Sequence, residues 1–150
     1  MENFNKYDLI GYHIASTANM MRNEVINRLS KKNIEITHAQ MLIMMMLYNE
    51  NGKNQNELTN IMKKEKTTIA RVIDGMEKKN LIRREKGLDK RNKICFLTDK
   101  GRELMNEILP VVYEVNQKAI DNITNEELEI FKKVIEKIKL NFEYYLENKC

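Results

Sequence analysis

The chain has 150 residues, of which 42% are hydrophobic and 32% are charged, and its formal net charge is +4. This length fits one domain, or two tightly joined lobes, able to bury roughly 70% of the unfolded surface. One proline and five glycines exclude low-complexity linkers, and the absence of an apolar run of about 20 residues excludes a membrane span.

The first predicted element is a long helix with one apolar stripe. Hydrophobic residues recur at steps of three or four, which is typical of an amphipathic helix. The stripe consists of Tyr7, Ile10, Ile14, Ala18, Met21, Val25 and Leu29.

Two capping patterns predict the starts of the next two helices. Thr37 and Gln40 form a capping box, so a second helix should begin near His38 and end near Asn49. The residues of this helix are apolar on all of its sides, so we expect it to be buried between two layers. Asn54 with Glu57 repeats the pattern and predicts a short third helix, with Leu58, Ile61 and Met62 facing inward.

A helix and a basic hairpin follow. Within residues 67–79, Ile69, Val72, Ile73 and Met76 mark one buried stripe, and the opposite face presents Thr67, Arg71, Asp74 and Lys78. Asn80 stands where a left-handed helix cap should fall. Residues 81–86 and 91–97 read as two short strands joined by a turn at 87–90. A helix with a polar outer face followed by a cationic wing is a shape suited to duplex DNA.

Two further helices complete the chain. Thr98 should cap a fifth helix with Leu104, Ile108, Val112 and Val115, which Pro110 should kink or interrupt. Thr124 and Glu127 form a third capping box, ahead of a last helix with the seam Leu128, Phe131, Ile135, Ile138, Phe142 and Tyr145. Apolar seams at both chain ends favour a homodimer. The alternative is that both helices fold back on their own core.

The charge is concentrated in the middle of the chain. Residues 53–102 contain 15 Lys or Arg and seven Asp or Glu, a local net charge of +8, and the remainder has a net charge of −4. A basic region between acidic flanks is an electrostatic footprint for phosphate. The alternative is a merely soluble, highly charged surface.

These motifs together resemble the multiple antibiotic resistance regulator (MarR) family. The resemblance covers nearly the whole chain and rests on residues 67–74, 76–82, 89–91 and the Leu-Thr-x-x-Gly motif at 97–101. It implies a winged helix-turn-helix dimer that binds a short promoter palindrome, and many members are released by small aromatic acids or by oxidation. Asn80 departs from the glycine that is usual in the family, but asparagine tolerates the left-handed conformation.

Roles follow from helical phase and from the resemblance. Thr67 and Arg71 should point into the major groove, where arginine pairs with guanine and threonine meets a thymine methyl group. The resemblance implies that Arg91 enters the minor groove and that Asp89 orients it. The remaining predicted DNA contacts, chiefly to phosphates, are Asn54, Gln55, Lys66, Thr68, Lys78, Arg84, Lys86, Lys90 and Lys93.

The ten methionines suggest an adaptable effector pocket, with core filling as the alternative. A small aromatic acid would lodge there, and Arg22 or His13 would meet its carboxylate. The predicted effector-binding residues are Tyr12, His13, Met20, Arg22, Met41 and Met45.

Other kinds of site have less support. His13 and His38 lack companions at metal-ligand spacing, and Cys95 and Cys150 lie outside the first helix, where redox-sensing relatives place a reactive cysteine. We find no catalytic motif and predict no enzyme activity, metal or cofactor. No segment near the N-terminus resembles a signal peptide, so we expect a cytoplasmic protein.

The predicted fold is mainly α with a small β wing, in one domain spanning residues 1–150. Residues 33–100 form the winged helix-turn-helix lobe, and 1–32 with 101–150 form a helical dimerisation lobe. The predicted function is a sequence-specific transcriptional regulator, a repressor released by a small effector. The alternative is a winged-helix protein-interaction module that does not bind DNA, against which the outward Arg71 and the cationic tip argue.

Overall fold

The computed structural model describes residues 5–50, 52–87 and 93–148. The predicted tip residues Asp89, Lys90 and Arg91, and also Cys150, lie outside these ranges. After a short 3-10 turn, the described helices and strands are α1 (Ile10–Lys31), α2 (His38–Asn49), β1 (Lys53–Asn54), α3 (Gln55–Met62), α4 (Lys66–Lys78), β2 (Ile82–Lys86), β3 (Lys93–Leu97), α5 (Asp99–Ala119) and α6 (Asn125–Glu147).

The predicted class, mainly α with a small β wing, is confirmed. The chain separates into two compact units, Met1–Asn116 and Gln117–Cys150. None of the helices in the described ranges combines the length and the apolar character that a membrane span requires.

Helix α2 supplies much of the core of the first unit. Met41, Ile43, Met44 and Leu47 are buried, and the neighbouring methionines Met45 and Met46 pack partly buried against the same core. A helix that is apolar on all sides is stable only when other elements cover it. The prediction that α2 is buried is therefore confirmed for these residues.

The three predicted capping boxes are all present. Thr37 Oγ1 accepts the Gln40 amide at 3.3 Å, and Gln40 Oε1 accepts the Thr37 amide at 3.0 Å. The same reciprocal pairs start α3 and α6. Each box satisfies amide groups that the first helical turn leaves without an intrahelical partner.

The sheet has one more strand than the sequence suggested. Strand β3 lies in the middle, antiparallel to β2 on one side and to the two-residue strand β1 on the other. Lys53 of β1 lies opposite Cys95 of β3. A strand of two residues is too short to show a periodicity. Its pairing partner also lies some 40 residues away along the chain, so the sequence near β1 does not predict it.

Two details of the sequence reading are wrong, and one of the two outcomes expected at Pro110, an interruption of the helix, is excluded. Tyr7 belongs to the 3-10 turn Lys6–Asp8 rather than to α1. Ile61 is 49% exposed instead of facing inward, and Leu58 is the one residue of α3 that is fully buried. Pro110 does not interrupt α5, which is continuous from Asp99 to Ala119. The buried residues Ile108 and Val111 anchor α5 to the core on both sides of the proline.

The Leu-Thr-x-x-Gly motif joins the end of α4 to the start of α5. Asn80 adopts the left-handed conformation with φ 57°, as predicted. Thr98 Oγ1 donates to the Asn80 carbonyl at 2.7 Å and accepts the Gly101 amide at 3.0 Å, while the Thr98 amide donates to the Leu81 carbonyl at 3.2 Å. The motif thereby holds the first residues after α4 against the first turn of α5.

Gly101 should tolerate no side chain at this junction. An added Cβ would overlap the backbone carbonyl oxygen of Leu81, which cannot move without disturbing the hydrogen bonds around Thr98. We expect Gly101→Ala to lower the free energy of unfolding by about 1–3 kcal/mol, measured by urea denaturation.

Gly75, in the interior of α4, is the matched control for that experiment. A Cβ there would meet no atom within 4 Å, so Gly75→Ala should raise the free energy of unfolding by about 0.5–1 kcal/mol. Equal effects of the two substitutions would show that the Leu81 contact is unimportant.

The second unit contains α6, whose large side chains are unusually exposed. Among the residues of α6 whose side chains the structure describes, 125–146, none is buried in the single chain. Its exposed hydrophobic residues are Ile130, Phe131, Val134, Leu140, Phe142, Tyr144, Tyr145 and Leu146. An apolar surface of this extent on one helix is typical of an interaction site.

Candidate nucleic-acid interface

Helices α3 and α4 form a helix-turn-helix. The turn between them begins at Lys63, which has a left-handed backbone with φ 49°. Leu58 of α3 and Ile69, Ile73 and Met76 of α4 are fully buried in the common core. Because these side chains fix the rotation of α4 about its axis, they also determine which residues face outward.

The outward face of α4 is the one predicted from helical phase. Thr67, Thr68, Arg71 and Lys78 are all exposed, as is Lys66 in the first turn. Within the described ranges, Arg71 forms no ion pair with a carboxylate. Its guanidinium is therefore available to an external acceptor.

The start of α3 holds two further predicted contacts. Asn54 is half-buried, and its Oδ1 accepts the Glu57 amide at 3.0 Å. That bond leaves the Nδ2 group of Asn54 as the donor that can reach a phosphate. Gln55, also half-buried, is the first residue of the helix.

The wing presents two lysines that face each other. Lys86 on β2 and Lys93 on β3 are directly opposite in register, and both are exposed. Like charges opposite one another destabilise a sheet, unless an anion lies between them. This pair is thus a second place where the surface favours phosphate.

Arg84 differs from the other predicted DNA contacts, because its guanidinium already has partners. Its Nη1 lies 2.8 Å from Asp74 Oδ1. Its Nε donates to Glu77 Oε2 at 2.9 Å, and Nη2 pairs with the same oxygen. The hydrogen bond from Arg84 lowers the pKa of Glu77, and the same bond raises the pKa of Arg84. Sequence reasoning missed this cluster, since it depends on how β2 docks against α4.

Arg83, the neighbour of Arg84, points to the other side of the sheet. Its Nε donates to Glu85 Oε1 at 2.8 Å, its Nη1 donates to the Leu97 carbonyl at 3.3 Å, and its guanidinium carbon lies 5.1 Å from the ring centre of Phe96. Successive residues of a strand face opposite ways, so two adjacent arginines have separate surroundings.

Cys95 is fully buried on β3. Burial raises the pKa of its thiol to about 11, while the charge of Arg84 lowers that pKa in part and the charge of Glu77 raises it by a smaller amount. Because the thiolate is the reactive form, this cysteine is poorly suited to sensing oxidants.

The predicted effector residues differ widely in their exposure. Tyr12 packs edge-on against His13 and Tyr7, with ring centres 5.8 and 5.3 Å apart. Met20 is 73% exposed whereas Met41 is buried. Burial lowers the pKa of His38, and the charge of Arg22 contributes a further decrease, so Arg22 acts electrostatically at the start of α2.

Described residues of the first unit line two open cavities. One, of about 390 Å³, is lined by residues of α1 and α5, among them Arg28 and Glu114. The other, of about 340 Å³, is lined by residues that include Ile26, Ile36 and Gln40. None of the six predicted effector residues lines either cavity. In the described residues no group of three or more His, Cys, Asp or Glu side chains could hold a metal ion.

Comparison with known proteins bears directly on this site. The MarR family profile matches residues 36–93, which span α2 through the start of β3. Transcriptional regulator HosA of Escherichia coli is 27% identical over 105 residues, covering 69% of this chain and 78% of HosA.

Two solved structures are similar over most of the chain. Transcriptional regulator PA3341 superposes with a TM-score of 0.81 at 28% identity, covering 91% of this chain and 99% of that one. A MarR family structure from Listeria monocytogenes, solved with 26mer DNA, gives a TM-score of 0.80 at 25% identity, covering 89% of this chain and 88% of that one.

Proposed function

We propose that the chain, which is similar to MarR family transcriptional regulators, binds a pseudo-palindromic operator as a homodimer and acts as a repressor. The outward face of α4 is the observation that supports this most. Arg71 is exposed there without a carboxylate partner in the described ranges, between two exposed threonines and Lys78. We place the protein in the cytoplasm with the DNA it regulates, and assign it no catalytic role.

Each contact has a distinct task in this proposal. Arg71 and Thr67 read base edges in the major groove. The proposed phosphate anchors, which set the register without reading sequence, are Asn54, Gln55, Lys66, Thr68, Lys78, Lys86 and Lys93. The wing-tip roles of Asp89 and Arg91 follow from the family resemblance alone, and Lys90 is proposed as a further phosphate contact.

The proposed division of the chain gives residues 33–100 to DNA binding, and 1–32 with 101–150 to dimerisation. The exposed apolar surface of α6 supports this division. Phe131 and Phe142 are 60% and 64% exposed, and they lie on one side of the helix at a spacing of eleven residues. A partner helix would remove both from water.

Placing a charge in this surface should break the dimer. We expect Phe142→Glu to raise the dimer dissociation constant at least about tenfold, because a buried unpaired carboxylate costs more than about 1.4 kcal/mol. Sedimentation velocity measures the change. Lys133→Glu, on the opposite side of α6, alters the charge by more yet should leave the dimer intact. Dissociation caused equally by both variants would rule out this surface as the interface.

Release by a small aromatic acid is the second part of the proposal. The acid would lodge near Tyr12, His13, Met20, Arg22, Met41 and Met45 and change the spacing of the two recognition helices. These must enter successive major grooves about 34–36 Å apart. The ligand acts only through a difference in affinity between the bound and free forms.

Titration of the protein–DNA complex with salicylate and related acids tests this second part. We expect operator affinity to fall as the acid is added, and Met41→Trp, which would fill the pocket, to reduce the response. If no aromatic acid changes operator affinity and Met41→Trp behaves like the native protein, the methionines serve only as core.

Selection of bound sequences from random duplex DNA tests the first part. We expect enrichment of a pseudo-palindrome of roughly 16–20 base pairs with half-sites about one helical turn apart. Recovery of no enriched sequence, with the protein folded and dimeric, would favour a protein-interaction module instead.

A further inference from the structure

Arg84 joins the wing to the recognition helix. It lies in the middle of β2, directly opposite Cys95 of β3, on the same face of the strand as the buried Ile82. Its side chain is only 20% exposed. An arginine this enclosed, with two carboxylates within hydrogen-bonding distance, is poorly placed to reach a phosphate in addition.

The two carboxylates come from one face of α4. Asp74 and Glu77 are three residues apart, so their side chains are neighbours on the helix surface. The planar guanidinium offers a fork of donors that matches such a pair. One residue therefore fixes the strand at a second point, beyond the short connection through residues 79–81 that links α4 to β2.

The same contacts affect the charge that α4 presents. The side chain of Asp74 is 52% exposed and belongs to the helix face that includes Arg71 and Lys78. Without a cation beside them, Asp74 and Glu77 would repel the phosphates that this face approaches. Arg84 supplies that cation, and Lys93 adds a weaker electrostatic contribution at Glu77.

We propose that Arg84 is a positioning residue, which acts on DNA binding through Asp74 and Glu77 rather than by touching a phosphate. It holds the wing at a set angle to α4 and cancels the two negative charges on the recognition helix. This inference rests on the proposed DNA-binding function and reassigns a residue that the sequence alone placed among the phosphate contacts.

Substituting Arg84 in two backgrounds tests the proposal. Arg84→Gln removes the charge and retains much of the side chain's length, and it is made both in the native protein and together with Asp74→Asn and Glu77→Gln. Affinity is measured for the duplex enriched by selection and for a random duplex of equal length. We expect Arg84→Gln to weaken operator binding about tenfold or more in the native background, and less than about threefold where the carboxylates are neutral.

The same loss in both backgrounds, with the slope of log affinity against log salt reduced by about 0.9, would overturn the proposal in favour of a direct phosphate contact. A role in folding alone is also separable, because the triple variant would then bind the operator no better than Arg84→Gln, whereas removing the two negative charges should restore affinity if repulsion of phosphates is the cause. Arg84→Lys keeps the charge and should recover most of the operator affinity. Failure of Arg84→Lys to do so would contradict the charge-cancelling role.

Arg83→Gln is the matched control, since it removes the same charge from the next residue of the strand on its other face. Its effect on operator affinity should be the same in both backgrounds.

Hydrogen exchange of the β2 and β3 amides in the free protein provides a measurement without DNA. Arg84→Gln should accelerate that exchange in the native background, and should change it less where Asp74 and Glu77 are already neutral. If the selection enriches no duplex, the proposed DNA-binding function is wrong. The hydrogen-exchange rates of the β2 and β3 amides still show whether Arg84 holds the wing against α4. Unchanged exchange in Arg84→Gln would refute that role.

Discussion

Raising the salt concentration from about 50 to about 200 mM should weaken operator binding by about 10³-fold to 10⁵-fold. Each lysine or arginine that neutralises a phosphate releases condensed counterions, and this range corresponds to roughly 6–10 phosphate contacts in the complex. In the proposed dimer each chain would supply half of these contacts, and the described part of one chain has enough exposed lysines and arginines for that number. They are Lys63, Lys64, Lys66, Arg71, Lys78, Lys79, Lys86 and Lys93.

Fluorescence anisotropy with a labelled duplex measures this dependence. The melting temperature of the free protein, followed over the same salt range, controls for unfolding as a cause of lost binding. Random duplex should show a similar slope at lower affinity, because phosphates are common to every sequence. A response that stays flat across this range would contradict binding through the basic lobe.

Local interactions explain why the sequence predicts so many helix boundaries correctly. A capping box needs only residues three apart, so Thr37, Asn54 and Thr124 mark the starts of α2, α3 and α6 without knowledge of the fold. Asn80 is equally local, since its left-handed backbone depends on its own side chain and on the end of α4.

Features that depend on docking between distant segments could not be read in the same way. Strand β1 exists only because Lys53 and Asn54 meet β3. Ile61 fits the helical period of an inward residue, yet α3 is covered only around Leu58. The continuity of α5 through Pro110 likewise reflects burial of the residues beside the proline, which overrides the lost hydrogen bond.

The candidate site also contains one residue that local pattern predicts correctly and one whose surroundings depend on packing between distant segments. Helical phase identified Arg71 as an outward residue of α4, because three buried residues of one stripe fix the opposite face. The sequence alone places Arg84 among the basic residues of the wing that contact DNA, although its guanidinium is already paired with two carboxylates. Only the packing of β2 against α4 places it between Asp74 and Glu77.

Replacing Arg71 should separate sequence reading from phosphate anchoring. Arg71→Ala is expected to cost about 1–3 kcal/mol of operator binding and to relax the preference at one base pair in each half-site. The physical reason is that the guanidinium can pair with two acceptors of a guanine edge, whereas alanine cannot tell one base pair from another. Affinities for a set of operators, each altered at one base pair, measure both effects.

Lys66→Ala is the control on the same helix, one turn closer to its start. Lys66 is exposed and forms no ion pair within the described ranges, so its loss should weaken all duplexes by a similar factor and leave base preference unchanged. Lys93 is less suitable, because it also acts on Glu77. Should Arg71→Ala and Lys66→Ala both reduce operator and random binding by equal factors, Arg71 would be a phosphate anchor. Base reading would then have to come from Thr67 or from the wing.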